Sequence, residues 1–529
     1  MSTAPPPATV DSSPGGRDNM HHDMDVLAPR LTPLQRARRW LREHRPDYAV
    51  GTLRYTGFGM IMVFVWLLWG DFCFTLLDQN IPNILPLKLT YLGVGDMTNS
   101  FLNGTIAYAV TFFLAPIVSF RSDRTRTRWG RRIPYLLWST PFVGLFLIAI
   151  GCYDSLTNVV MGNASQVSIQ FLHHTIVLTR ASMLMIVLGA AIVGWNLANI
   201  FVNTIYYYLF NDVVPTKYLS RFFSLFRIVM SLAGMAYSHW VYGHALDHFR
   251  TIFVIAGIAY AVGFFLMCLF IREGEYPPPP QNIDQRTGVL SSIKTYAREC
   301  FTHRLYWWFF LANACVFSSR LSTMFMGQRN NITLGMSLQQ IGDYSFWSIF
   351  IGLFLQFPAG WLSDRFHPLR VYMIATILST FGIIAQCVWI FHDFGPAGNL
   401  TYLYVTGLCS MPLLLIADAA ELPMYMRLLP KDRYGQFASA NGMVRAFARI
   451  FLSILIGAFI GWMKHWYGDR RFTWIAAWQL FFQLIGIGFL LLLYRQWQLS
   501  GGNRDYIPPG TTLESAALNL QAATPTTSA

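Results

Sequence analysis

The chain has 529 residues, of which 54% are hydrophobic and only 12% charged, about half the charged share of an average soluble protein. So few charges cannot clothe a 60.3 kDa particle in water, which excludes an ordinary soluble enzyme. The net charge of +13 does not signal nucleic acid, because the basic residues fall in short clusters between apolar runs, the pattern of membrane topology.

Residues 1–30, rich in Pro, Ser and Gly, read as disordered. Residues 34–45 place Ala37, Trp40, Leu41 and His44 on one helical face opposite several arginines, which predicts a short basic helix on an anionic membrane surface. No signal peptide opens the chain, and the first long apolar run, after Arg54, is expected to be a retained span. A span needs ~20 apolar residues to cross a ~30 Å hydrocarbon core. Twelve are predicted, at 57–77, 99–120, 133–153, 177–210, 222–245, 251–271, 303–325, 341–361, 371–391, 401–428, 437–462 and 474–494. The fourth and tenth are long enough to project into the cytoplasm. The tail after Arg495 is again polar and reads as unstructured.

Orientation follows from the basic residues. Loop 121–132 carries Arg121, Arg124, Arg126, Arg128, Arg131 and Arg132, whereas loop 154–176 carries neither Lys nor Arg. That asymmetry places both termini in the cytoplasm. Three Asn-x-Ser/Thr sequons (Asn163, Asn331, Asn399) fall in the outer loops and read as chance occurrences.

The two halves of the chain are related. Ser122-Asp123-Arg124 after the second span recurs as Ser363-Asp364-Arg365 after the eighth, and Pro215, Phe222 and Ser224 recur as Pro430, Phe437 and Ser439. The expected fold is thus an all-α membrane protein of twelve transmembrane helices in two pseudo-symmetric six-helix halves, rocking to give alternating access. The expected order is a cytoplasmic tail (1–54), an N-terminal half (55–271), a Pro-rich central loop (272–302), a C-terminal half (303–494) and a disordered tail (495–529).

Polar residues inside lipid are expensive and therefore informative. They are Asp71 in span 1; Asn196, Asn199 and Asn203 on one face of span 4, continued by Tyr207; Arg227 in span 5; Asn313 and Arg320 in span 7; Asp418 and Glu421 in span 10; and Arg445 and Arg449 in span 11. The strongest fall on spans 1, 4, 7 and 10, equivalent positions of a three-helix repeat, and predict a central polar cavity. The bland alternative is a set of ion pairs and amide contacts that only lock helices together, Arg445 and Arg449 pairing with Asp418 or Glu421. In the basic loop, Asp123 can pair with Arg131 or Arg132, and such pairs at a seam between halves, with Asp364 and Arg365 as counterparts, can gate access. Topology signalling alone also accounts for that loop.

At these residues a resemblance becomes specific. The string from Asp123 to Trp138 (DRTRTRWGRRIPYLLW) resembles the signature loop of the glycoside–pentoside–hexuronide:cation symporters, a branch of the major facilitator superfamily that includes the melibiose carrier. Gly70-Asp71-Phe72 is similar to that family's first-span Gly-Asp pair, and the stretch from Arg227 through Ser231 to Gly234 is similar to its fifth span. Ala198-Asn199, with Asp212 thirteen residues on, is also similar to plant sucrose/proton symporters. The resemblance implies sugar recognition by Asp71 and Arg227. It also meets departures: the aspartates of the sodium-coupled members, directly before the second-span proline and four residues earlier, are here Ala115 (before Pro116) and Thr111, and the fourth-span aspartate is Tyr207. Sodium coupling through that site is not expected, which leaves Asp71, Asp418 and Glu421 as proton carriers.

The seven cysteines form no CxxC pair or disulfide framework, and no Walker A loop, HExxH or GxSxG stands out, so ATP-driven pumping and hydrolysis are unsupported. His21-His22-Asp23 in the tail carries little weight as a metal site, and His239 and His244 read as packing residues. Trp66, Trp69 and Trp195 read as packing or interfacial residues before sugar-stacking ones. The expectation is a monomeric secondary transporter in a cell membrane, taking a sugar or glycoside together with a proton, with no enzyme activity, cofactor, metal or nucleic acid. Substrate contacts are assigned to Asp71, Arg227, Asn199, Asn203, Tyr207 and Asn313. Two alternatives stay open: a carrier of lysophospholipid or another amphiphile with the same resemblance, and a sugar sensor without turnover.

Overall fold

The computed structural model describes residues 49–50, 52–162, 164, 166–171, 174–275, 300–430 and 433–509. The basic helix expected at 34–45, His21-His22-Asp23, most of the central loop and the end of the C-terminal tail lie outside them.

The described chain is almost wholly helical. Its long helices are α1 (Gly57–Tyr91), α2 (Asp96–Arg124), α3 (Ile133–Gly151), α4 (Arg180–Val213), α5 (Thr216–Ala236), α6 (Phe249–Phe270), α7 (Arg304–Thr333), α8 (Leu338–Arg365), α9 (Pro368–Phe391), α10 (Gly395–Leu428), α11 (Tyr434–Tyr467) and α12 (Ile475–Leu499). Among the described residues ten stretches are long and apolar enough to cross a membrane, the last of them, Tyr434–Leu499, containing both α11 and α12. α5 is not among the ten, because Arg221, Ser224, Arg227 and Ser231 interrupt its apolar run. Many large apolar side chains on the outside of the bundle are exposed, including Phe113, Trp240, Phe391 and Trp466. A hydrocarbon surrounding makes such a surface stable.

Caps fix several helix starts. Thr56 and Thr179 accept hydrogen bonds from Gly59 and Ser182, and Ser337 with Gln340 forms a capping box at the start of α8. At Gly468 (φ +54°) the chain leaves α11 through a 3₁₀ turn, Gly468–Trp474, into α12. Loop 154–176 contributes to a short helix (Tyr153–Met161) and an antiparallel hairpin of β1 (Gln166–Phe171) and β2 (His174–Thr179), with Gln166 opposite Thr179.

Helix ends depart from the hydropathy reading where polar residues are buried by packing. α1 runs to Tyr91 rather than 77, passing through Pro86, and α7 runs to Thr333 rather than 325. Three turns are wide, π-helical ones: Phe101–Thr105 in α2, Tyr237–Val241 at the end of α5 and Arg329–Thr333 in α7.

The packing repeats. In the first half α1 packs on α5 and α6, α3 on α4 and α6, and α2 on α4; in the second, α7 packs on α11 and α12, α9 on α10 and α12, and α8 on α10. Adding six to each helix number converts one pattern into the other, which is the signature of two pseudo-symmetric halves. The halves meet through α2 with α11 and α5 with α8, a pair of contacts that the same operation exchanges. α3 and α6 cross backbone to backbone: a Cβ added to Gly144 would lie 2.6 Å from the Gly257 carbonyl oxygen. The first half is cored by an aromatic cluster of Phe74, Tyr206, Phe210, Phe222 and Phe264, all buried.

Candidate functional site

In the first half, α1 carries a polar ladder. Asp71 is fully buried; Thr75 Oγ1 donates to its Oδ1 at 3.4 Å, and among the described residues its Oδ2 has no hydrogen-bond partner. Asp78, which a span ending at residue 77 leaves outside, shares that face, since positions i, i+4 and i+7 line up on a helix. Asn199 Nδ2 of α4 donates to Asp78 Oδ1 at 3.0 Å, and the Tyr260 hydroxyl of α6 lies 3.3 Å from Asn199 Oδ1. Asn196 instead bonds its own helix, to the Ile192 carbonyl, as packing glue does. Asn203 is half-buried, and Tyr207 is exposed at the edge of the aromatic cluster beside Phe226.

Arg227 is exposed on α5. Gly234, seven residues on and on the same face, approaches Ile349 of α8, so Arg227 lies on the stripe of α5 that runs toward the other half. Asp71 is enclosed and Arg227 exposed, and among the described residues no hydrogen bond or ion pair joins the two.

In the second half the charges are paired. Arg320 Nη2 donates to Asp418 Oδ1 at 2.8 Å. Arg445 Nη1 donates to Glu421 Oε1 at 3.2 Å, and the Tyr425 hydroxyl donates to Glu421 while lying 3.3 Å from Asn313 Oδ1. Asn313 reaches Asn441 of α11 at 3.4 Å. The Arg445 guanidinium sits 3.2 Å from the Phe317 ring centroid, and Arg449 bridges Phe317 and, across the seam, Tyr108 at 5.1 Å. Asp418 and Glu421 therefore each hold an arginine.

The basic loop makes a compact network. Arg131 and Arg132 both pair with Asp212 at the end of α4, Arg132 also donates to Asp123 Oδ1 at 2.5 Å, and Ser122 accepts from Arg132. Glu273, just past α6, accepts the backbone N–H groups of Arg131, Arg132 and Ile133 at 2.9, 2.8 and 2.6 Å. A carboxylate thus caps the otherwise unsatisfied start of α3. Gly130, at φ +106°, lies so close to Glu273 that a side chain there would collide with it. The partners named here belong to the first half, and the network ties α2, α3, α4 and the end of α6. Sequence reasoning named Asp212 only through a resemblance and missed Glu273, which lies beyond any span and four helices away in the chain. In the second half Asp364 is exposed and makes no ion pair among the described residues, while Arg365 stacks over Trp361 at 5.1 Å. The turn there is only Phe366-His367 and has no arginines to offer.

The halves are joined at the opposite end, the end of the β1–β2 hairpin. Arg471 Nε, after α11, donates to Asp96 Oδ2 of α2 at 2.8 Å, with both side chains almost fully buried. His239 Nδ1 meets Asp343 Oδ1 at 2.8 Å, Thr105 meets Ser453 at 2.6 Å, and Tyr91 donates to Asn331 Oδ1 at 2.6 Å. Among the described residues no hydrogen bond joins the halves at the basic-loop end. Asn399 is buried and bonded to Trp389, Asp393 and Leu334, so its sequon is closed to modification.

Beneath this seal lies a cavity of about 540 Å³ lined from both halves, with Gln79, Asn83, Tyr237 and Ser238 on one side and Thr323, Arg329, Asn330, Tyr344, Ser345, Ser348 and Gln386 on the other. A smaller one of about 230 Å³, holding Arg320, Asp418, Gln479 and Gln483, shares Thr323, Met326, Gln386 and Leu414 with it. None of the six expected substrate residues lines the larger cavity.

Solved structures share this architecture. A bacterial homologue of the iron transporter ferroportin in its inward-facing state aligns with a TM-score of 0.61 at 16% identity, covering 82% of this chain and 99% of that one. A bacterial homologue of the human lysosomal transporter Spinster, inward-facing and unoccupied, aligns at 0.59 and 14% identity over 86% and 100%. A D-xylose–proton symporter aligns at 0.55 and 12% identity over 86% and 99%. No curated protein matches the chain. Residues 49–453 match the Major Facilitator Superfamily. With the repeated helix packing, the seam between halves and the cavity beneath it, the chain belongs to the Major Facilitator Superfamily, and it is a multi-pass membrane transporter rather than an enzyme.

Proposed function

We propose that this transporter carries a sugar or glycoside across a cell membrane by alternating access, as a proton symporter. The observation that carries the reading is the cavity between the halves, whose lining of amides and hydroxyls (Gln79, Asn83, Thr323, Ser345, Ser348, Gln386) suits a polyhydroxylated solute. A D-xylose–proton symporter shares the fold, so the architecture accommodates that chemistry. With both termini and the basic loop in the cytoplasm, the seal at the hairpin end makes this an inward-facing state.

The proton is assigned to the α1 ladder. Asp71 is enclosed and, among the described residues, has one oxygen without a partner and pairs with no cation, whereas Asp418 and Glu421 each hold an arginine. A lone carboxylate in such surroundings is expensive as an anion, and a proton removes that cost. Arg227, Asn203 and Tyr207 are then groups that the solute meets on its way out through the open end, while the buried Asn199 holds Asp78. The protein acts as a monomer on this reading, the two halves supplying both walls of the pathway.

The test is uptake into proteoliposomes of a panel of radiolabelled mono- and disaccharides, with an imposed pH gradient or an imposed sodium gradient. Uptake of a sugar accelerated by the inward proton gradient is expected. Uptake that follows sodium after the pH gradient is collapsed, or no sugar uptake at all, overturns the reading.

A further inference from the structure

The large cavity contains a charge with no counter-charge. Arg329, in the wide turn that ends α7, is 1% exposed. Its Nε donates to Asn330 Oδ1 at 3.0 Å, its Nη1 to Gln386 Oε1 at 2.7 Å, and its guanidinium lies 4.8 Å from the Trp389 ring centroid. All three partners are neutral. Among the described residues no carboxylate pairs with Arg329 and no acceptor is found for Nη2, while the residue itself lines the cavity. The other strongly buried arginines, Arg132 and Arg471, each hold an aspartate. A guanidinium taken out of water needs an anion, and its planar edge matches the two oxygens of a carboxylate or phosphate.

We propose that the cavity is an anion site, and that the solute it takes carries a carboxylate or phosphate group that docks on Arg329. The neutral donors and acceptors around it, Asn83, Ser345, Ser348 and Tyr344, would meet the hydroxyls of the same molecule. The volume of about 540 Å³ lies within the ~300–1,000 Å³ of ordinary ligand pockets and leaves room for a sugar-sized body attached to the anionic group. Gln79 and Asn83 come from α1, and Arg329, Tyr344 and Gln386 from the other half, so an occupant would touch both sides of the seam. This inference rests on the sugar reading only for the hydroxylated part of the solute; the anionic part rests on Arg329.

The test uses the full chain in lipid nanodiscs and three probes with one carbon skeleton: D-glucose, D-gluconate and D-glucose 6-phosphate. Binding is read as the shift in unfolding temperature across a concentration series. One or both anions should bind at least tenfold more tightly than glucose, and the preference between them identifies which oxyanion fits. Gln386→Glu places a carboxylate beside Arg329 Nη1 with almost no change of shape, so it should raise the unfolding temperature without ligand and weaken the anion at least tenfold. Arg329→Gln should remove the anion's advantage over glucose. Anions that bind no better than glucose, or an anion response unchanged in Gln386→Glu, would show that Arg329 only clamps α7 to α9 through Trp389. Because Gln386→Glu adds a favourable pair, it folds where Arg329→Gln fails to. Neutral sugar uptake with no anion preference overturns this site and leaves the sugar reading standing; anion binding without sugar uptake does the reverse.

Discussion

Asp71 and Asp78 lie two turns apart on one face of α1 and differ in what answers them. Asp78 is held by Asn199, whereas Asp71 has a single weak donor, Thr75. If the ladder passes the proton, Asp71→Asn and Asp78→Asn should each lose at least tenfold of the uptake driven by a pH gradient. Exchange of labelled for unlabelled substrate at equal concentrations, which needs no net proton movement, should persist. Parallel measurement of the two rates checks this, and driven uptake that survives both substitutions would remove the ladder from coupling. A second comparison concerns the basic loop. Asp212 is 9% exposed and serves two arginines, while Asp123 is 52% exposed and serves one. Asp212→Asn should therefore destabilise the fold by about 3 kcal/mol, the scale for breaking a buried pair, and Asp123→Asn by less than about 1 kcal/mol, the scale for exposed pairs. Thermal unfolding of the two variants in nanodiscs gives the order. Asp71, Asn199, Asp418 and Glu421 stand out in the sequence because a charge or amide inside an apolar window has few bland explanations. Asp78 and Arg329 do not stand out, because each begins a polar run (DQNIPN and RNNIT) that reads as the end of a span. Only tertiary packing makes them interior: Asn199 of α4 meets Asp78, and Gln386 and Trp389 of α9 meet Arg329.

At the scale of elements the spans were legible wherever composition alone decides, and least so where packing does. α3, α6 and α9 lie within a few residues of expectation, but α1 and α7, equivalent under the repeat, both run on past it. Their last turns sit in the seam, where amides find protein partners instead of water. The short turn between α8 and α9 carries a different consequence. His367 caps α9 by accepting the Leu369 N–H on Nδ1 at 3.3 Å, and it packs on Trp497. Burial, with Arg427 and Arg370 adding repulsion, pulls its imidazole down to about 4, against an ordinary value near 6.5. The folded state thus binds this proton less readily than the unfolded chain does. Stability is complete above about pH 6.5 and falls as the pH drops from there toward about 4, because the unfolded state takes up the proton first. The loss should reach about 1–2 kcal/mol after allowance for the partial exposure of the ring. His367→Asn, which can still cap the helix, should flatten this part of the pH–stability curve. An unchanged slope in that variant would assign the acid sensitivity to other groups.

Across the whole molecule, two related contacts seal the hairpin end, α2 with α11 and α5 with α8, and they are chemically unlike. The first is a buried Arg471–Asp96 pair; the second joins His239 to Asp343 at a half-exposed site. Replacing Asp96 with Asn leaves Arg471, among the described residues, with the exposed Asp469 as its remaining carboxylate and should weaken the sealed state by about 3 kcal/mol, roughly a hundredfold in the balance between inward- and outward-open forms. Distances between spin labels placed at the hairpin ends of α2 and α11 should lengthen in Asp96→Asn, while those across the basic-loop end shorten. Distributions identical to the parent would show that the pair does not control the switch.

The three wide turns occur in α2, α7 and at the end of α5, all at the seam and all near its sealed end. A turn of this kind holds one residue more than its neighbours need, with its hydrogen bonds already offset. Passing that surplus residue to the adjoining turn requires only that one N–H change its carbonyl partner, so a seam helix can rotate or lengthen slightly without being unwound. α3 and α6, pressed together at Gly144 and Gly257, have no such slack and must travel as one beam. The bundle is therefore stiff where it faces lipid and has spare length where its halves must part.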